Sequence, residues 1–498
     1  MLLNFKYNIL YKMNKKSRKK SIAKRAVIYS VITTATIVIT VLLVIFTLGF
    51  RFDLSLNKVE RTGLVQFGSS PSGAISRVNG KVVQLRTPNK EVVNAGTHDF
   101  SMERDKYQSW NKTLNIKPGM LRWLNYAILV PSEIETTPML SFETISALKA
   151  TPEKKDILVL RDNTVPNFDF VGIRGTEVKS KQIILPAEVY SQADIPEISH
   201  RFEMTEWDSG GRYILLKHYY ADSSEWIVFD TQNVASSQNL TTHFDIVMSK
   251  VKFIDTSGNK FYVLNNTDIR KLDLSNSTIS HPIVTKVESF ILYDKSNLVY
   301  IGETGQNETL RRVVGTYRDG DKSSHQVKSF NIDQQDIKIA TTKYFNEDYI
   351  AILNSKVLYL YKGNFPTDGN NGINLKTTMT LGLDEIPQEV SFSDSGQYLL
   401  MSNGTNFVSY DLEYQSVAKF NINAAADDFN YDWLNSTHIW SSSEGKISIR
   451  EFDGQNSHEI ATASGNYGAI FTSNKKYIYT VANVEDGSLS LQRSLMIL

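Results

Sequence analysis

The chain holds eight histidines: His98, His200, His218, His243, His281, His325, His438 and His458. A zinc hydrolase of the common type needs two of them one helical turn apart, as in His-Glu-x-x-His, and no such spacing occurs. A metal site assembled from distant stretches stays open. Asp319-Gly320-Asp321 begins like a calcium loop, but Lys322-Ser323-Ser324 interrupts the series of oxygen ligands such a loop requires, so it reads as a solvated turn. Asp427-Asp428 reads as an acidic loop. With no cysteine at all, disulfides, thiolate metal sites, iron–sulfur clusters and thiol nucleophiles are excluded. The Gly-x-Ser-x-Gly elbow of serine hydrolases and the Gly-x-x-x-x-Gly-Lys phosphate loop are also missing. Glycoside hydrolysis needs only two carboxylates at the right separation, and sequence does not fix that distance. Trp207, Trp226, Trp433 and Trp440 could stack on sugar rings, although aromatics in packed strands more often fill a core. The sequence thus assigns no catalytic residue, no metal ligand and no cofactor.

The elements that would position any site begin with a charge asymmetry. Across 498 residues Lys and Arg total 54 and Asp and Glu 53. Residues 1–25 carry nine basic side chains and no acidic one, and Arg51 is the next charge. Residues 52–498 therefore hold 44 basic against 53 acidic groups, a net charge of −9. Such a body is a poor partner for nucleic acid. Residues 26–50 are free of charge and rich in Ile, Val, Leu and Thr. As a helix they would extend about 37 Å, enough to cross a hydrocarbon core of about 30 Å. No small-x-small cleavage site closes the run, so an uncleaved anchor is expected over a signal peptide or a buried soluble helix. The basic cluster from Lys15 to Arg25 places residues 1–25 in the cytoplasm and everything after residue 50 outside. Met13, before Asn14-Lys15-Lys16, offers an alternative start. A large extracytoplasmic body without cysteine points to a bacterial host.

After a short linker, residues 51–62, the stretch 63–130 reads as short strands broken by turns. Asn79-Gly80 is a strong hairpin signal because both residue types accept positive φ. The order of motifs resembles the PEGA domain family: Pro71-Ser72-Gly73-Ala74, then Asn79-Gly80, Thr87-Pro88, a strand opened by Gly96, and the aromatic Tyr107. Where that family usually has Gly before the aromatic, this chain has Lys106. The resemblance covers about 65 residues and implies a surface-exposed bacterial β-sandwich, a spacer or binding module without known catalytic residues.

Residues 131–144 read as a second linker, and from residue 145 to 498 one pattern recurs. A polar turn rich in Asp, Ser, Asn and Gly follows an aromatic or aliphatic residue and leads into a short apolar run. Trp207-Asp208-Ser209-Gly210-Gly211 before Arg212 to Leu216 is one copy, and Phe392-Ser393-Asp394-Ser395-Gly396 before Gln397 to Met401 is another. Eight apolar runs start near residues 157, 213, 261, 298, 349, 398, 439 and 477. A strand repeat of about 40–50 residues without helical periodicity is the mark of propeller blades. Runs buried on both faces read as unbroken apolar stretches, and are expected to be the inner strands of each blade. The pattern resembles divergent WD-repeat and TolB-like propellers, although Trp207-Asp208 sits at a turn, where the WD dipeptide does not. Sialidase-like Ser-x-Asp-x-Gly-x-Thr-Trp turns are not kept either. Two stacked sandwiches or a β-solenoid are the alternatives.

The expected molecule is mainly β. It has a single N-terminal transmembrane helix, a small PEGA-like β-sandwich and a seven- or eight-bladed β-propeller. Its expected role is non-catalytic binding at the bacterial cell surface, with the lipid bilayer as one partner and an extracellular protein or cell-wall glycan as the other. A glycan-directed enzyme using carboxylates on the propeller face, or a structural envelope protein, are the rivals.

Overall fold

Ile, Val and Thr lose little by helix formation when no water competes for the backbone, and a single helix runs from Leu2 to Thr47. The computed structural model describes the chain apart from residues 1, 48, 54–57, 176, 193–198, 335, 369–374, 425–428 and 498. The side chains of residues 2–23, 52–53, 58–59 and 465 are also outside the description, as is the Asp427-Asp428 loop. From Lys24 to Thr47 the helix is long and apolar enough to cross a membrane, and none of this segment is buried by protein. Between Val27 and Phe46 fourteen large apolar side chains are at least 42% exposed. Leaving them in water would cost on the order of 20 kcal/mol. The hydroxyls of Thr36, Thr40 and Thr47 donate back to the carbonyls of Ile32, Thr36 and Val44 at 2.8–2.9 Å, so they need no outside partner. Gly49 ends the helix with φ +82°, where a Cβ would lie 2.2 Å from the Thr62 carbonyl oxygen. Only glycine fits there.

The chain divides into two compact units, residues 1–129 and 130–498. In the first, beyond the helix, two four-stranded sheets share one core. One sheet joins Phe50–Asp53, Lys58–Ser70 and Asn89–Asn94, with Leu121–Ile128 parallel to the long strand. The other orders Lys81–Arg86, Ile75–Val78, Gly96–Glu103 and Trp110–Ile116. Val65, Phe67 and Leu124 of the first sheet pack with Phe100, Met102 and Trp110 of the second. The expected 51–62 linker instead supplies paired strand: Phe50–Asp53 pairs antiparallel with 58–61. Asn79 (φ +49°) and Gly80 (φ +78°) make the tight turn, and the Asn79 Oδ1 accepts from the Asp99 amide at 2.9 Å. The Pro71-Ser72-Gly73-Ala74 turn is clamped to Thr87: the Ala74 amide donates to Thr87 Oγ1 at 2.9 Å, and the Gly73 amide to the Thr87 carbonyl at 2.8 Å. Pro88 lies exposed beside that clamp, and Gly96, at φ +138°, opens its strand. Lys106 adopts φ +66°, the conformation a glycine would take without strain, and Tyr107 beside it is buried.

The described residues of the second unit form eight four-stranded antiparallel sheets in chain order. All eight apolar runs become the second strand of a sheet, from Asp156–Leu160 through Tyr213–Tyr220 and Tyr398–Asn403 to Tyr477–Asn483. Tyr398–Asn403 is buried at five successive positions and Tyr477–Asn483 at six, the pattern of a strand covered on both faces. Core clusters join sheet 1 to 2, 2 to 3, 3 to 4, 4 to 5, 5 to 6 and 6 to 7. Another joins sheet 8 back to sheet 1 through Val481, Leu491, Ile157 and Val159. At the remaining step Gly468 leads into sheet 8 against the Trp440 ring of sheet 7, 2.8 Å from where a Cβ would sit. The sheets therefore close into a ring, an eight-bladed propeller.

The doubly buried strands are second in each blade, an inner position flanked by the first and third strands. First strands of successive blades touch one another, as Ala147–Ala150 does His200–Trp207 and Ile337–Tyr344 does Glu389–Phe392, and these, mostly half-buried, line the axis. The segment 131–144 is not a linker: Thr136–Phe142 pairs antiparallel with Leu489–Leu495 and completes blade 8. An outer strand carries little buried apolar surface, so its sequence hides it. Joining both ends of the ring in one sheet leaves no open edge at the seam.

Candidate functional site

The recurring turn between first and second strands is built alike in several blades. In blade 2 the Asp208 carboxylate accepts from the amides of Gly210, Arg212 and Tyr213 at 2.6–2.8 Å. Its glycine then rests on the preceding blade. A Cβ on Gly258 would meet the Tyr213 ring at 2.6 Å, and one on Gly396 would lie 2.3 Å from Thr342 Oγ1. Both have φ near +70 to +77°. The repeat thus marks a face of the propeller made of first-to-second and third-to-fourth strand turns.

On that face a groove of about 850 Å³ runs across blades 4, 5 and 6. Its walls are Tyr293 and Asp294 from blade 4, Lys343, Asp348 and Phe365 from blade 5, and Ser393 and Asp394 from blade 6, with Arg318 at one side. Two of the carboxylates are already committed. Asp348 accepts from the Tyr293 hydroxyl at 2.5 Å and from the Phe365 amide at 3.1 Å, pinning blade 4 to blade 5. Burial, then the bond to Asp348, drives the Tyr293 phenol well above its ordinary range. Asp294 caps its own turn, accepting from the amides of Ser296 and Asn297 at 2.7 and 2.8 Å. Arg318, Lys343 and Asp394 are exposed, and no hydrogen bond or ion pair engages their side chains among the described residues. Free charges of both signs beside partly exposed Tyr293 and Phe392 suit a polar, hydrogen-bonding ligand.

The axis forms a second charged region. Lys252 of blade 3 is ion-paired with Glu206 of blade 2, and Lys250 donates to Ser289 of blade 4 at 3.4 Å. Burial lowers the Lys149 and Lys250 ammonium pKa values. Burial likewise raises Asp432, opposed by the Trp433 amide and by Lys154. Solvent reaches the Asp432 side chain even so, as expected in a narrow channel that protein surrounds. Of the carboxylates near Asp432, Glu389 accepts from Tyr431 at 2.6 Å, Glu206 is held by Lys252, and exposed Asp394 raises the Asp432 pKa further.

Inside blade 2 lies a buried relay that sequence spacing did not reveal. The Glu225 carboxylate accepts from the Ser191 amide and hydroxyl at 2.8 and 2.7 Å and from His218 Nδ1 at 2.8 Å. His218 Nε2 lies 2.8 Å from His200 Nδ1. Strands place these residues side by side, since His218 is the register partner of both Glu225 and Phe202. Polar residues inside otherwise apolar runs, Lys217-His218 and Glu225, were the available signal.

The expected tryptophans do not form a ligand face. Trp207, Trp226 and Trp440 are only 7%, 5% and 9% exposed, and the first two sit in inter-blade cores. Trp226 donates to the Met248 carbonyl at 2.9 Å, and half-buried Trp433 to Ser391 Oγ at 3.0 Å. Their large apolar area is worth more between blades than on a rim. The residues Pro71, Ser72, Gly73, Ala74, Asn79, Gly80, Thr87, Pro88 and Gly96 shape turns and strand starts in the smaller unit. Asp321, His325 and Asp368 form the one cluster among the described residues able to hold a metal ion.

No family model matches the chain, and no curated protein matches it. Among solved structures it is similar to an oligogalacturonate lyase in complex with manganese, at 10% identity and TM-score 0.40, covering 73% of this chain and 98% of that one. A Kluyvelomyces marxianus Hsv2 is similar at 10% identity and TM-score 0.40 over 71% of this chain and 99% of its own. The dihydro-heme d1 dehydrogenase NirN in complex with DHE is similar at 11% identity and TM-score 0.40, over 64% and 65%. At these scores the propeller assignment rests on the strand pairing described above.

Proposed function

We propose that this is a single-pass membrane protein of a bacterial cell surface, whose propeller binds a protein or cell-wall glycan outside the cell without catalysing a reaction. The groove over blades 4–6 carries this reading: three blades converge on it, and Arg318, Lys343 and Asp394 stand free there to meet a polar ligand. Asp294 and Asp348 hold the groove in shape, which suits binding more than acid–base chemistry. The N-terminal helix is the anchor, with the basic tail inside and the PEGA-like unit a spacer in the chain between anchor and propeller. The test is a pull-down with isolated cell-wall glycan, and chemical cross-linking on intact cells, using the full chain. Arg318→Ala with Lys343→Ala is expected to weaken capture by roughly a hundredfold or more, in line with two charge-assisted hydrogen bonds of about 1.5–3 kcal/mol each. Unchanged capture, or turnover of the glycan, would refute the proposal.

A further inference from the structure

The turns after the third strands of blades 4 and 5 bring together three side chains that no local motif links. Asp321 and His325 flank the start of His325–Asn331, and Asp368 comes from the following blade. His325 Nε2 lies 3.4 Å from Asp321 Oδ2 and 3.5 Å from Asp368 Oδ1. Neither separation is a good hydrogen bond, and one N–H cannot point at both oxygens. Asp321 Oδ2 and His325 Nε2 are nonetheless buried atoms without any hydrogen-bond partner. The Asp321 side chain is 11% exposed, and native structures rarely leave such a group unsatisfied.

The spacing has a simple meaning. Two ligands each about 2.1 Å from a tetrahedral cation stand about 3.4 Å apart, which is the separation found on both sides of the imidazole. The surroundings hold the ligands in place. The Lys322 amide donates to Asp368 Oδ2 at 2.5 Å, leaving Oδ1 turned to the imidazole. Asp319, the other carboxylate of the turn, is taken by Lys271 of blade 3 at 2.8 Å. Gly320, at φ +92°, lets the chain reverse between the two.

We infer that Asp321, His325 and Asp368 form a divalent-metal site bridging blades 4 and 5, selective for a first-row transition ion such as Zn²⁺ or Mn²⁺. One imidazole nitrogen with two carboxylates favours these ions over Mg²⁺ and Ca²⁺, which prefer oxygen alone. Three protein ligands leave at least one coordination position for water or a ligand oxygen.

The test uses the full chain in detergent micelles, without a histidine tag, stripped with EDTA. After dialysis against Zn²⁺ or Mn²⁺, bound metal is counted by plasma mass spectrometry and affinity measured by calorimetric titration. One equivalent per chain is expected, with Mg²⁺ failing to displace it at tenfold excess. His325→Gln and Asp368→Asn should each weaken binding at least tenfold, while Asp319→Asn leaves it unchanged. Circular dichroism of the metal-free variants checks the fold, and partly exposed Asp368 gives a readable variant should His325→Gln misfold. Absence of a stoichiometric ion, or equal affinity in wild type and both ligand variants, would overturn the site.

Discussion

Glu225 and His200 show how a buried polar relay makes stability depend on acidity. Burial opposes the Glu225 charge, but hydrogen bonds from His218, Asn239 and Ser191 outweigh it and hold the carboxyl below its ordinary range. For a depressed carboxyl, stability is present above the unfolded pKa, about 4.3, and is lost as pH falls through the folded value. His200 is shifted the same way, by burial first and by its neighbour His218 second. Below its unfolded pKa of about 6.5 the unfolded chain takes up the proton sooner, so stability again falls with acid. Denaturant midpoints of the propeller are thus expected to drop in two steps, one below about pH 6.5 and one below about pH 4.5. His200→Gln should flatten the upper step. Glu225→Gln should flatten the lower one and cost about 1–3 kcal/mol at neutral pH, because an amide nitrogen would face buried donors. A pH profile identical to wild type in either variant would contradict this assignment.

At the scale of elements, the ring depends on its seam. Thr136–Phe142 comes before blade 1 in sequence, yet it is hydrogen-bonded to Leu489–Leu495 at the other end of the propeller. Thr136 Oγ1 and Ser494 Oγ, 358 residues apart, lie 2.9 Å from each other, and Leu491 is buried in the core shared by blades 8 and 1. Deleting residues 136–142 would strand the edge of Leu489–Leu495 and uncover part of that core. The expected outcome is rapid hydrogen exchange in blades 8 and 1 and loss of a single cooperative transition, while exchange in blades 4 and 5 changes less. The turn glycines work on the same scale: Gly258 and Gly396 are small because the turn of one blade lies directly on the one before it.

For the whole molecule, the dominant asymmetry is the uncovered helix. Among the described residues no element of the first unit buries Lys24–Thr47, its threonine hydroxyls are satisfied within the helix, and it is long and apolar enough to cross a membrane. A chain lacking residues 1–47 is expected in the aqueous supernatant, whereas the full chain should sediment with membranes until detergent is added. Protease treatment of intact cells should release a fragment of about 450 residues if the positive-inside orientation holds. Equal solubility of both chains would remove the anchor from the account.

Some of this molecule is written in contiguous residues, and some is not. The charge-free run at 26–50, the Asn79-Gly80 turn and the eight apolar runs are local patterns, fixed by hydropathy and by which residues tolerate positive φ. Each of the eight runs is the second strand of a blade, so the repeat was readable, while the choice between seven and eight blades was left to the strand pairing. Which strand faces the axis was not readable, because the half-buried side chains of an axial strand resemble those of a surface strand. Nor was the seam, since an outer strand buries few side chains and its partner lies hundreds of residues away. His325 and Asp368 stand 43 positions apart, with a blade's worth of chain between them. Only the packing of one blade on the next decides that their oxygen and nitrogen meet, and the groove of blades 4–6 arises from the same packing.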